Sequence, residues 1–227
     1  LAALSGAASA QTAGPSTAPA APEAGQLQTI TVTAERRTEN VQQVPNSVSV
    51  VSSELLDVLN TSGQDVRMLS GRVPSLNIES SFGRAFPRFY IRGYGNTDFR
   101  LNASQPVSLV YDDVVQENPI LKGFPAFDLA RVEVLRGPQG SLFGRNTPAG
   151  VVKFESNRPV KGKFEGYGSI SAGTFSTVNL EGALNVPKSS DSALRVSLMN
   201  QTRDDWVENT FDAGPTQELE GYRDRAA

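Results

Sequence analysis

The residue types that most often carry catalysis are missing from this chain. Its 227 residues include no histidine and no cysteine. That removes the Ser-His-Asp triad, the Cys-His pair and every imidazole or thiolate metal site together. Carboxylates and lysines remain. Asp112 and Asp113 form the only adjacent acidic pair inside a strand-like pattern, and neighbours on a strand point to opposite faces, so without a bulge they cannot act on one bond. An enzyme is not expected, and no cofactor is implied. The string GPQGSLFG at 137–144 invites comparison with a phosphate cradle. A P-loop needs G-x-x-x-x-G-K-[ST], and no Lys-Ser or Lys-Thr follows these glycines. A tight turn in an ordinary α+β domain is the alternative.

A different chemistry is available to residues 27–34, LQTITVTA. The run Thr29, Ile30, Thr31, Val32 and Thr33 has high strand propensity and stands between an Ala/Pro linker (11–26) and a charged segment. Such a segment can add a strand to another protein's sheet edge, main-chain hydrogen bonds supplying the affinity. An edge strand of its own domain is the competing reading. The net charge of −3, without a basic stripe, gives no reason to expect nucleic acid.

The elements that must position these residues begin with residues 128–159, DLARVEVLRGPQGSLFGRNTPAGVVKFESNRP. Residues 131–136 alternate as a strand, with Val132 and Val134 on one face. The chain breaks at Gly137-Pro138, passes Gly140, Gly144 and Gly150, and returns as a strand at 151–154. Glycines there permit positive φ or close backbone approach. Upstream, residues 47–51 read as a strand. Ser52 or Ser53 can cap a short helix with Leu55, Leu56 and Leu59 on one face. A second short helix carries Val66 and Leu69, and strands are expected at 76–79, 88–92 and 107–112. Both helices are too short to stand without the sheet. The connections 80–87 and 93–105 are long enough to be functional loops.

Past Pro159 the pattern changes. Residues 163–173, 177–186 and 193–201 alternate apolar and polar over about ten residues each, as a transmembrane barrel wall requires. A soluble antiparallel sandwich is the alternative. At the other end, LAALSGAASA (1–10) closes on Ala8-Ser9-Ala10, the small-x-small pattern of a signal-peptidase site.

Three strings decide among these readings. LRGPQGSLFGRNTPAG, FYIRGYG (89–95) and LVYDDV (109–114) resemble, in order, the signature of the plug domain of TonB-dependent outer-membrane receptors, and LQTITVTA resembles their TonB box. Gln28 stands where that box is usually acidic, Asp113 where the family usually has glycine, and Ala149 where it usually has a first glycine. The resemblance implies an α+β plug (40–158) with a small mixed sheet and short helices, followed by the first antiparallel strands (159–227) of a barrel. Such barrels have about 22 strands, so the chain is expected to be an N-terminal portion. The family pattern further implies TonB pairing at Thr29, Ile30, Thr31, Val32 and Thr33, and pairing of Arg92 and Arg136 with barrel-wall glutamates. Plug turns are expected at Gly93, Gly137, Gly140, Gly144 and Gly150. Outward loops near Arg84, Phe86, Phe99 and Arg100 would contribute to a ligand surface. The implied partners are TonB with its inner-membrane energising complex, a small-molecule ligand such as an iron chelate, and outer-membrane lipid. Cobalamin or an oligosaccharide is the alternative cargo; a passive outer-membrane binding protein without energy coupling is the alternative class.

Overall fold

The computed structural model describes residues 30–33, 36–60, 65–98, 100, 102–208, 210, 218–219 and 221–227. The chain divides after Ile30, and every element named here belongs to the unit from Thr31 onward. In chain order, β1 (Thr31–Val32) and β2 (Glu39–Asn40) form a small antiparallel pair, and β3 (Ser47–Ser52) leads into helix α1 (Ser53–Asn60). Next, β4 (Leu76–Glu79) and β5 (Arg88–Ile91) make a hairpin. They are followed by β6 (Val107–Tyr111), β7 (Val114–Gln116), β8 (Leu129–Arg136), the one-turn helix α2 (Gly140–Phe143) and β9 (Gly150–Ser156).

Five of these strands make one mixed sheet in the order β3-β8-β9-β6-β7, in which only the β6–β9 pair is parallel. Both faces are covered. Val132, Val134, Val152, Phe154, Val107 and Leu109 pack on one side against Leu56 and Leu59 of α1, the 3-10 turn Val66–Leu69 and the β4–β5 hairpin. Leu135, Val151 and Val110 pack on the other side against Val32 of β1, Val44 and Phe143 of α2. Strand alternation therefore buries Glu133, Lys153 and Glu155 with the second layer instead of exposing them.

Three details depart from the sequence reading. Leu55 is exposed, so the apolar face of α1 is Leu56 and Leu59 alone. Asp112 is not a strand residue: Tyr111 pairs with Val114, and Asp112 (φ 44) with Asp113 (φ 69) forms the two-residue hairpin turn between β6 and β7. Both positive φ angles are what a type I′ turn demands. The carboxylate of Asp112 accepts from Ser156 N (2.8 Å) and Oγ (2.6 Å), and Asp113 pairs with Lys153 (3.0 Å), so side-chain bonds offset the strain that glycine would avoid. Gly140 neither takes positive φ nor meets a close neighbour, unlike the other four predicted turn glycines. Gly150 is the most constrained: a Cβ there would lie 2.2 Å from the Leu135 carbonyl oxygen.

A second sheet, ordered β10-β11-β12-β15, follows: β10 (Glu165–Gly173), β11 (Thr177–Pro187), β12 (Ala193–Arg203) and β15 (Tyr222–Ala226). The pair β13 (Val207–Glu208) and β14 (Glu218–Leu219) stands in the β12–β15 connection. The first three strands have 9, 11 and 11 residues, enough to cross a bilayer core when tilted. Ile170, Val178, Leu180, Leu184, Leu194, Val196 and Leu198 form an exposed apolar band. Phe175 and Trp206 sit together at one end of it, with Arg203 over both rings, as expected of an aromatic girdle at a membrane interface. No described helix is long and apolar enough to cross a membrane.

Candidate functional site: the docked box strand and the plug–wall seam

The strand-addition segment is not free. Thr31 and Val32 pair with Asn40 and Glu39, and Val32 is fully buried in the second apolar layer. Thr29 lies outside the described residues; Ile30 is exposed. Of the two readings, the structure shows the edge strand: the strand propensity of this segment is satisfied here by pairing with β2.

Thr33 ties this strand to a cluster of buried charges. Glu133 stands opposite Lys153, and Arg131 opposite Glu155, across β8 and β9, so cross-strand neighbours are of opposite sign. Glu133 is 0% and Lys153 1% exposed. Lys153 Nζ lies 2.5 Å from Glu155, and Arg131 Nε 2.6 Å from Glu133. The Thr33 N–H donates to Glu133 Oε1 (2.8 Å), and its hydroxyl meets both carboxylates, Lys153 Nζ (2.9 Å) and Arg131 Nη2 (3.2 Å). One threonine thus touches all four charges. Lys153 also holds the Asp113 carboxyl below the usual carboxylate range, against the effect of its partial burial.

The other end of β8 carries the plug's link to the second sheet. Asp128, immediately before β8 and at φ 48, accepts from Arg195 Nε (2.8 Å) and Nη2 (2.5 Å), from Ser197 Oγ, and from Asn157 Nδ2 (2.9 Å). Its N–H donates to Glu181 Oε1 (3.3 Å), which also accepts from Tyr167 Oη (2.6 Å). Burial alone would raise the Asp128 pKa, but the Arg195, Ser197 and Asn157 bonds hold it below the ordinary value. Beside this link lies a polar cavity of ≈ 480 Å³, lined by Asp57 and Asp128 of the plug and by Tyr167, Asn179, Glu181 and Gln201 of the strands.

The predicted site residues divide as follows. The Arg136 guanidinium donates to the Pro74 carbonyl (2.9 Å), Ser75 Oγ (3.0 Å) and Ser49 Oγ (2.6 Å), and the Arg92 N–H donates to the Ser75 carbonyl (2.9 Å). The two arginines are neighbours: burial and the Arg92 charge pull the Arg136 pKa below the usual guanidinium value. Among the described residues neither forms a salt bridge. Arg84, expected on a ligand surface, ion-pairs with Asp224 and lies over the Tyr222 ring, 3.6 Å from its centroid. Phe86 packs edge-on against Phe82, and Arg100 is exposed near Asp98. Phe99 lies outside the described residues. Sequence reasoning missed the Thr33 cluster and the Asp128–Arg195 link; the signal available was opposite charges recurring at alternate positions of β8 and β9.

Residues 40–151 match the family model of the TonB-dependent receptor plug domain. The pesticin receptor of Yersinia pestis is 29% identical over 160 residues, covering 69% of this chain and 23% of the relative. The vitamin B12 transporter BtuB of Vibrio vulnificus is 31% identical over 130 residues, 55% of this chain and 20% of the relative. Among solved structures, the ferric yersiniabactin uptake receptor FyuA of Yersinia pestis superposes with a TM-score of 0.68 at 26% identity, over 78% of this chain and 27% of the other. The pyoverdine receptor FpvA of Pseudomonas aeruginosa shares the fold, with a TM-score of 0.62 at 19% identity. The chain belongs to the TonB-dependent outer-membrane receptors, as a plug domain followed by barrel strands. It spans about a quarter of the length of the relatives it matches.

Proposed function

We propose that this chain is the plug and first wall strands of a receptor for TonB-dependent active uptake of a scarce nutrient, with a ferric siderophore or similar iron chelate as cargo. The carrying observation is the docked box strand: Thr31 and Val32 form a strand that can be exchanged from its partner β2 to another sheet edge, and it is fastened to the plug core at Thr33. The plug blocks the lumen, TonB draws the strand at Thr29 to Thr33, and the inner-membrane energising complex supplies the work. Arg92 and Arg136 pair with wall carboxylates in the intact receptor, where a planar guanidinium can bind a carboxylate with two parallel hydrogen bonds. The match to a ferric yersiniabactin receptor supports the iron-chelate reading, and the match to a vitamin B12 transporter supports cobalamin as a second. In cells carrying the full-length protein, deletion of residues 29–33 should abolish uptake of the bound nutrient while binding persists. Growth on a panel of iron chelates, cobalamin and glycans identifies the cargo. Uptake unaffected by the deletion refutes energy coupling through this segment.

A further inference from the structure

Strand β8 carries both attachments described above. Arg131 and Glu133 meet Thr33, and Asp128, three residues before Arg131, meets Arg195 and Ser197. Between them the ladder slips: Leu129 pairs with Ser156 and Arg131 with Glu155, which leaves Ala130 as the extra residue of a bulge. A bulge interrupts the ladder and re-aims the side chains beside it. Asp128 itself holds a left-handed φ of 48, a conformation that a non-glycine residue keeps only while its surroundings impose it.

We infer that the Thr33 catch and the Asp128 anchor are the two ends of one coupled device, with the Ala130 bulge as its joint. Withdrawing Thr33 takes from Glu133 its N–H donor and from all four charges their shared hydroxyl. Among the described residues the Glu133 Oε2 atom already has no partner, so a buried carboxylate is left underbonded and β8 must shift to let water reach it. The ladder yields at the bulge. Asp128 then leaves its imposed φ and lets go of Arg195 and Ser197, so the seam opens into the adjoining cavity. That cavity suits water: Asn179 and Gln201 line it, and their buried amide oxygens have no partner among the described residues, so they call for water or a donor-bearing solute. The uptake reading is needed only to say what withdraws Thr33.

The test uses cysteine reporters in the full-length receptor; this chain has no cysteine of its own. Val32→Cys reports the box strand and Asn179→Cys the seam, each read as the rate of labelling by a hydrophilic thiol reagent. Thr33→Val removes a hydroxyl bonded to charged groups and should accelerate both reporters on the order of tenfold, whereas Thr33→Ser should match wild type. If the two ends are coupled, the effect runs both ways, and Asp128→Asn should accelerate Val32→Cys as Thr33→Val accelerates Asn179→Cys. Acceleration of Val32→Cys alone, or of neither, overturns the coupling. A Leu109→Cys control in the core separates coupling from unfolding. If Thr33→Val exposes that position too, the Asp128→Asn arm decides: a faster Val32→Cys upholds the coupling and an unchanged one overturns it. No arm requires TonB or cargo, so failure here is distinct from failure of the uptake reading.

Discussion

Replacing Lys153 by methionine should be far more damaging than its position in an alternating strand suggests. Methionine fills nearly the same space, so the loss is electrostatic. Lys153 Nζ serves Glu155 at 2.5 Å, Asp113 at 3.0 Å and Thr33 at 2.9 Å from a site 1% exposed. Without it, Glu155 keeps the Thr33 hydroxyl and the exposed Arg158 at 3.9 Å. Breaking a buried pair by removing one member costs about 3–5 kcal/mol. A domain of this size has a total of roughly 5–15 kcal/mol. Opening of β8 and β9 should therefore rise by roughly 150- to 5,000-fold, measured by amide hydrogen exchange on the full-length receptor with β11 amides as internal reference. The companion variant decides the cause. Adding Glu155→Gln removes the stranded charge, and the double variant should recover at least half of the loss, a coupling of about 2 kcal/mol. A single-variant effect under about 1 kcal/mol, or a double variant no better than the single, would refute a buried ion cluster as the support of this layer.

Two further outcomes follow from titration. Asp128 has a depressed folded pKa, so its contribution is fully present above the unfolded value of about 3.9 and is lost as pH falls through the lower folded value. Spin-label distances between α1 and the β10–β11 turn should stay fixed from pH 7 down to about 4 and lengthen in stronger acid; Asp128→Asn should abolish that acid step. Lys122, 3% exposed with one weak bond from Nζ to the Val107 carbonyl (3.5 Å), has its pKa pushed down to about 8 by burial. The unfolded state binds the extra proton above that value, so plug stability should rise between pH 8 and the ordinary lysine range of about 10.4. Lys122→Met should stabilise the plug at pH 7 by up to about 3 kcal/mol and flatten that rise; denaturation followed at both pH values checks it.

The strands of the plug were legible because most of their side chains obey simple alternation, as at Val132 and Val134. The wall strands were clearer still: apolar residues on one face and polar ones on the other reproduce the exposed band and the side that meets the plug. What the sequence hid has one physical cause. Residues 131–136 read as an alternating strand and 151–154 as a strand, but the charges of Arg131, Glu133, Lys153 and Glu155 carry no sign of the cluster they form. Whether such a face is solvated or covered depends on a segment a hundred residues away, Thr33, and on cross-strand register. The same long-range dependence concealed Arg84, whose partners Tyr222 and Asp224 lie some 140 positions downstream. Asp113 was read as a break in the glycine pattern, yet the turn keeps its shape because Lys153 and Ser156 secure the two aspartates.

The central claim is that β1 is a strand lent to the plug and given up to TonB. It is tested most directly by binding of the purified periplasmic domain of TonB to the full-length receptor, wild type against Val32→Pro. Proline removes a main-chain donor from the segment and cannot sustain a ladder. The account predicts that TonB binds the wild type, more tightly when cargo is present, and that Val32→Pro binds at least tenfold more weakly although its strand has left the plug. Equal binding by the two would contradict it.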